Sequence, residues 1–197
     1  MFFTKKLRKK KADELFHLFH FGKGEEVLKW LQENPEKMEI VMEEYEFNPF
    51  LMACYFNDRK VLEYLYQENV NIHYQDVNGR NAIYVAALQE HNELIKELHE
   101  KQVEVDAVLK NGSTALVYAA CFDKKETVKE LIKAGADVNL KNNYGYDLLH
   151  CIENNKLSIE INFLHEHRHL FHEENRKRLQ KIRLKRLFEE NKPGEEG

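Results

Sequence analysis

Proline is almost missing from this chain, with three in 197 residues, and glycine is scarce at eight. So few chain breakers leave few long loops, the usual ground on which active sites are assembled. No stretch comes near the roughly 18 consecutive apolar residues that a membrane-spanning helix needs. The opening Met1-Phe2-Phe3, followed by Lys5, Lys6 and Arg8 to Lys11, has neither the charge order nor the apolar centre of a secretory signal. Cysteine is short as well: Cys54, Cys121 and Cys151 are odd in number and show no CxxC spacing. Free thiols in a reducing cytoplasm are the expectation, or in a host-cell cytosol for a secreted effector.

Signatures of chemistry are also lacking. Gly22-Lys23-Gly24 has no P-loop continuation, and neither a GxSxG elbow nor HExxH occurs. His150 and Cys151 are adjacent, and neighbours on a helix point apart, whereas a nucleophile and its base must face each other. His165, His167, His169 and His172 crowd one segment, but no cysteine joins them and Glu166, Glu173 and Glu174 are their companions. They read as solvent-facing rather than as a zinc set. Neither catalysis, a cofactor nor a metal is expected.

The net charge of -4 conceals a segregation. Residues 5–11 hold six Lys/Arg and residues 176–186 hold seven, with no acid in either, while residues 12–175 sum to -14. An acidic body repels nucleic acid, whose affinity rests largely on phosphate neutralisation. The basic ends could touch an anionic surface.

What the chain does have is a period. Gly79, Gly112 and Gly145 stand 33 apart; Ala86-Ala87 is echoed by Ala119-Ala120, and Glu104-Val105-Asp106 by Asp137-Val138-Asn139. Such a period predicts units that bury their cores only against neighbours. In the clearest unit Thr114 caps a first helix whose core side carries Ala115, Leu116, Ala119 and Ala120, and Val128, Leu131 and Ile132 mark a second helix that Gly135 stops. Steps of 33 add units with Ala82, Ile83, Ile95 and Leu98, with Phe50, Ala53, Leu62 and Leu65, and with Leu148, Ile152, Ile161 and Leu164. A first unit, with Leu15, Phe19, Val27 and Leu31, fits at an offset of 35, its extra residues falling in the loop 34–47. The expected organisation is a basic tail at 1–11, units at about 12–44, 45–77, 78–110, 111–143 and 144–168, a basic helix over 169–190, and a disordered tail at 191–197. The helix should cap the last unit, which needs its open side covered.

Thr114-Ala115-Leu116, Ala119-Ala120 and the run from Val128 to Asn139 resemble an ankyrin repeat. The resemblance covers about residues 12–168 and implies an all-α repeat solenoid: about five ankyrin-like helix-turn-helix units with short β-turn fingers and a C-terminal capping helix. It also implies a concave protein-binding surface made from the fingers and first helices. The family's Thr-Pro-Leu-His tetrad stands here as Asn48-Pro49-Phe50-Leu51, Asn81-Ala82-Ile83-Tyr84, Thr114-Ala115-Leu116-Val117 and Asp147-Leu148-Leu149-His150. The caps survive, but the histidine's links to neighbouring loops are lost in the middle units. Gln102, where Gly135 stands in the next unit, should strain or reshape the third unit's exit.

Laid on that geometry, Phe21, Tyr55, Phe56, Leu88, Gln89 and Phe122 end the first helices, and Tyr45, Phe47, Arg80, Tyr144 and Tyr146 flank the fingers. Such aromatics mark either an interaction groove or inter-repeat core, with Phe47 and Phe56 the leading core candidates. The function expected from the resemblance is a non-enzymatic adaptor or inhibitor, monomeric, that binds a protein with a basic segment. A self-assembling structural module, and docking on an anionic surface through the basic termini, stay open beside it.

Overall fold

The computed structural model describes residues 2–42, 46–154 and 157–190, with side chains described from Ala12 to Phe188 within those ranges. Eleven α-helices follow one another with no β-strand among the described residues: α1 Phe2–Phe21, α2 Gly24–Glu33, α3 Pro49–Phe56, α4 Arg59–Gln67, α5 Ala82–Leu88, α6 Asn92–Glu100, α7 Ala115–Cys121, α8 Lys125–Lys133, α9 Leu148–Glu153, α10 Ile161–Glu166 and α11 Glu173–Glu190. The inner helices α1, α3, α5, α7 and α9 stack one on the next, and each of α2, α6 and α8 leans on its own unit's inner helix. This is the expected solenoid of five helix pairs, closed by α11 packed on α9 and α10.

The first tetrad residue starts each inner helix from the second unit onward. Asn48 Oδ1 accepts from Leu51 N at 2.9 Å, Asn81 Oδ1 from Tyr84 N at 2.9 Å, Thr114 Oγ1 from Val117 N at 3.4 Å, and Asp147 Oδ1 from His150 N at 2.7 Å. Each bond satisfies one backbone donor that the first helical turn leaves free. Alanine pairs keep the stack close: Ala86, Ala87, Ala119 and Ala120 are fully buried. The outer helices put Val61, Leu62 and Leu65, or Leu94, Ile95 and Leu98, or Val128, Leu131 and Ile132 into the same core. Where the tetrad histidine is missing, Asn81 Nδ2 donates to Glu104 O at 2.6 Å and ties the third unit's start to its own exit loop.

Left-handed backbone recurs with the period in three columns. Glu46, Gly79, Gly112 and Gly145 turn the fingers; Asn57, Glu90 and Asp123 join inner to outer helix; Asn69, Gln102 and Gly135 leave the units. Gln102 keeps the shape its neighbours have, at φ +63°, rather than reshaping the exit. A side chain with a β-carbon is strained there. Adjacent fingers are hydrogen-bonded to each other, Lys110 N to Asn78 O at 3.1 Å and Asn143 N to Asn111 O at 3.0 Å.

The two ends depart from the expected boundaries. α1 begins at Phe2, so residues 2–11 continue a helix where a separate tail was expected; Lys and Arg are good helix formers and no glycine intervenes before Gly22. The loop after α2 folds a 3-10 turn at Pro35–Lys37 and a bridge between Met42 and Phe47, burying Met38 and Met42. At the other end a 3-10 turn at Arg168–Leu170 and an extended Phe171 precede α11, so the C-terminal helix starts later than residue 169. Asn139 holds that turn: its Nδ2 donates to Leu170 O, and its Oδ1 accepts from His172 N and Asn175 Nδ2. The tail expected at 191–197 lies outside the described residues.

Candidate interaction surface

Aromatic rings gather where the inner helices end, and they do so in two groups. The first lies on α1 and α3. Phe56, half-buried, stacks on Phe19 at 6.3 Å between centroids, meets His20 edge-on at 5.8 Å and Tyr55 at 5.1 Å. Phe21 closes the group at 4.8 Å from His20 and 5.6 Å from His17, and is itself 75% exposed. The second lies on α5 and α7: Tyr84 to Tyr118 at 5.4 Å, then Tyr118 to Phe122 at 4.6 Å, with Phe122 63% exposed. Half-buried Leu88 and Gln89 end α5 between them. His91, just after α5, reaches the first group through a 3.0 Å hydrogen bond between Nε2 and Tyr55 O.

Buried rings anchor exposed ones. Burial pushes the Tyr84 phenol up to about 12. Burial also raises Tyr118, opposed by Lys124 and helped by Glu90 and Tyr55. Both phenols stay neutral at physiological pH, so they present hydrogen-bonding groups without charge. Glu90 and Lys124 form an ion pair at 2.6 Å beside them. Asp123, at the end of the same turn, is engaged by Ser158 N and Oγ, which hold its carboxyl below its ordinary range.

The finger residues divide differently. Phe47 is 1% exposed, sealed beneath Arg80, whose guanidinium carbon sits 4.6 Å over the ring. Arg80 also pairs with buried Asp76 and reaches Glu46 at 3.8 Å. Phe47 is therefore core, and Arg80 is a clamp between successive fingers rather than a free cation. Both were candidates for the groove; the folded loop of the first unit buries Phe47, and Arg80 stays half-buried over it. Tyr45 lies outside the described residues. Tyr144 is 72% exposed at the last finger's tip, 6.2 Å from Tyr146, which stacks on His150 at 4.1 Å.

Sequence reasoning missed Tyr84 and Tyr118. Their counterparts one repeat away, Leu51 and Val117 for Tyr84, Val85 and Cys151 for Tyr118, are buried and apolar, so the period placed them in the core. A large phenol in a column of small apolar residues was the available signal. The histidine segment also differs from expectation: His165 and His167 are half-buried, and His167 Nδ1 lies 2.8 Å from Phe163 O. Among the described residues no three His, Cys, Asp or Glu side chains converge as a metal set, and no helix is long and apolar enough to cross a membrane.

Against known families, the chain matches the one described as ankyrin repeats (3 copies), in overlapping stretches at residues 12–109, 50–142 and 83–169. A search of curated proteins returns no match.

Proposed function

The chain belongs to the ankyrin repeat family, whose members are generally protein–protein interaction modules, and we propose that it is a non-enzymatic adaptor or inhibitor holding one protein partner along the inner-helix ends. The observation that carries the reading is the exposure of Phe21 and Phe122 at the ends of ring clusters that reach inward to buried Phe19 and Tyr84. Covering a phenylalanine is worth roughly 1.5–3 kcal/mol, and a free-standing array has no use for leaving two open at matched positions. The partner contributes apolar anchors for these rings and a basic segment that the acidic body, -14 over residues 12–175, draws in and orients. Three free thiols suit a reducing compartment, cytoplasm or host-cell cytosol.

Phe21→Ala and Phe122→Ala test it, since neither ring is needed for the core. Affinity capture from native lysate with wild type should recover a partner that the double variant loses, while circular dichroism stays the same. Equal recovery with an intact fold rejects the groove. A second reading, self-association, has its own support in the exposed Leu184, Leu187 and Phe188 of α11. Sedimentation velocity across concentration separates them: a dimer lost on Phe188→Ser favours self-association.

A further inference from the structure

We infer that a cavity between α10 and α11, which shares no lining residue with the inner-helix groove, is a binding site for a phosphate monoester with an apolar body. The cavity measures about 370 Å³, at the small end of the roughly 300–1,000 Å³ typical of small-molecule sites. Three guanidinium groups and an imidazole face it: Arg168 from the 3-10 turn, Arg176 and Arg183 from α11, and His165 from α10. No carboxylate lines it. Glu166, the nearest acid in sequence, lines a shallower neighbouring cavity with His169, and Arg168 and Arg176 border both.

The arginines of α11 fall on two faces with different fates. Arg178 and Arg186 turn to the array, where Asp147, Glu153 and the carbonyl of Ile159 take their donors. Arg176 and Arg183, seven residues apart, turn to the cavity. Arg168 Nη1 is fixed by His165 O at 3.2 Å and Arg176 Nε by Phe171 O at 2.8 Å, and among the described residues the rest of each fork is directed but unused. Arg183 Nε is buried and has no hydrogen-bond partner among the described residues. Leaving a buried charged donor unmet is costly, and such groups in native proteins normally have an acceptor. His165 reports the same field: burial, then Arg183 and Arg168, hold its pKa down against the opposing pull of Glu166.

The chemistry of the lining selects the ligand. Planar guanidinium forks match phosphate oxygens bidentately, and three forks exceed what a single carboxylate neutralises, whereas a dianionic phosphate monoester offers three terminal oxygens. Leu179, Leu184 and Leu187 line the cavity between the arginines of the same helix and would cover an apolar ester group. This site is independent of what the inner-helix groove holds.

Calorimetric titration of the full chain with phenyl phosphate, inorganic phosphate and phenol tests the assignment. Phenyl phosphate should bind one to one and at least about tenfold more tightly than either fragment, and Arg183→Gln should weaken it about tenfold by removing a charge-assisted bond. Lys177→Gln removes the same charge from the exposed face of the same helix and should leave affinity within about twofold. If Arg183→Gln alters the circular dichroism, Arg176→Gln, exposed and outside the core, carries the measurement. Phosphatidic acid vesicles, set against phosphatidylserine vesicles of equal charge, separate the ester's sources: Arg183-dependent binding to the first alone assigns a lipid headgroup, and phenyl phosphate binding without it a soluble ester. No saturable binding of either ester, equal affinity for inorganic phosphate, or equal losses in R183Q and K177Q would overturn the inference.

Discussion

Replacing Arg178 by Ala should detach the cap from the array. Arg178 Nη1 lies 2.7 Å from Asp147 Oδ2 and 2.9 Å from Asn175 Oδ1, and Nη2 lies 2.8 Å from Glu153 Oε2. The Asp147 side chain is 1% exposed while Arg178 keeps 26% of its surface. The carboxylates also hold the guanidinium pKa above its ordinary value. Removing one partner of a fully buried ion pair costs about 3–5 kcal/mol, because the other charge stays behind. Here the loss is smaller, since water reaches the guanidinium and Asp147 still caps α9 through His150 N at 2.7 Å. A cost of about 2–3 kcal/mol follows, which for a chain of this size lowers the melting temperature by roughly 5–10 °C. Asp147→Asn keeps a good cap and removes the charge. In that background Arg178→Ala should cost less than about 1 kcal/mol, a coupling of about 1–2 kcal/mol. Urea unfolding of the four proteins measures it, and amide exchange should show protection lost first in α9 and α11, as expected where each unit is held by its neighbours. A single-variant cost below about 0.5 kcal/mol, or the same cost in both backgrounds, would refute the reasoning.

Three more expectations rest on particular positions. Gly112→Ala should destabilise by about 2 kcal/mol or more and Gly145→Ala by about 1 kcal/mol, because both have positive φ but only at Gly112 would a β-carbon run into Asn143; paired denaturation curves decide, and equal losses would place the whole penalty in φ. Gln102→Gly should stabilise by up to about 1 kcal/mol, by relieving the left-handed strain at φ +63°; an unchanged or lower melting temperature counts against it. A thiol reagent at pH 8 should label Cys121, which is half-exposed, and spare Cys54 until the chain unfolds, since burial above all, and Glu97 after it, pushes the Cys54 thiol well above its ordinary range while Arg59 opposes; mass spectrometry of the labelled native protein reads the order.

How far the sequence reaches shows in two phenylalanines. Phe47 and Phe122 both break the repeat pattern, and only the irregular loop before Phe47 marked it as a leading core candidate. The bridge between Met42 and Phe47 folds that loop back on itself and Arg80 closes over the Phe47 ring, while Phe122 stays 63% exposed. Tyr118 misled in the opposite direction: its column is core in the units on either side, and the room for a phenol comes from Tyr84 across the α5–α7 contact.

The fold itself was written in the chain, because each element of it is local and repeated. A cap residue, an alanine pair, an apolar triplet on the outer helix and a glycine at the finger recur within one 33-residue span, and a solenoid asks for nothing from further away than the next unit. The left-handed columns were legible only through glycine, directly or, as at Gln102, by alignment with one a repeat away. At Glu46, Glu90 and Gln102 the same backbone is imposed by the stack on residues that disfavour it. The basic C-terminal run shows the division most plainly. By composition its seven cations are equivalent, but packing α11 against α9 and α10 gives Arg178 and Arg186 acceptors and leaves Arg176 and Arg183 facing a cavity without a carboxylate. Charge is a property of the sequence, whereas which charges are answered depends on the helix face that burial selects.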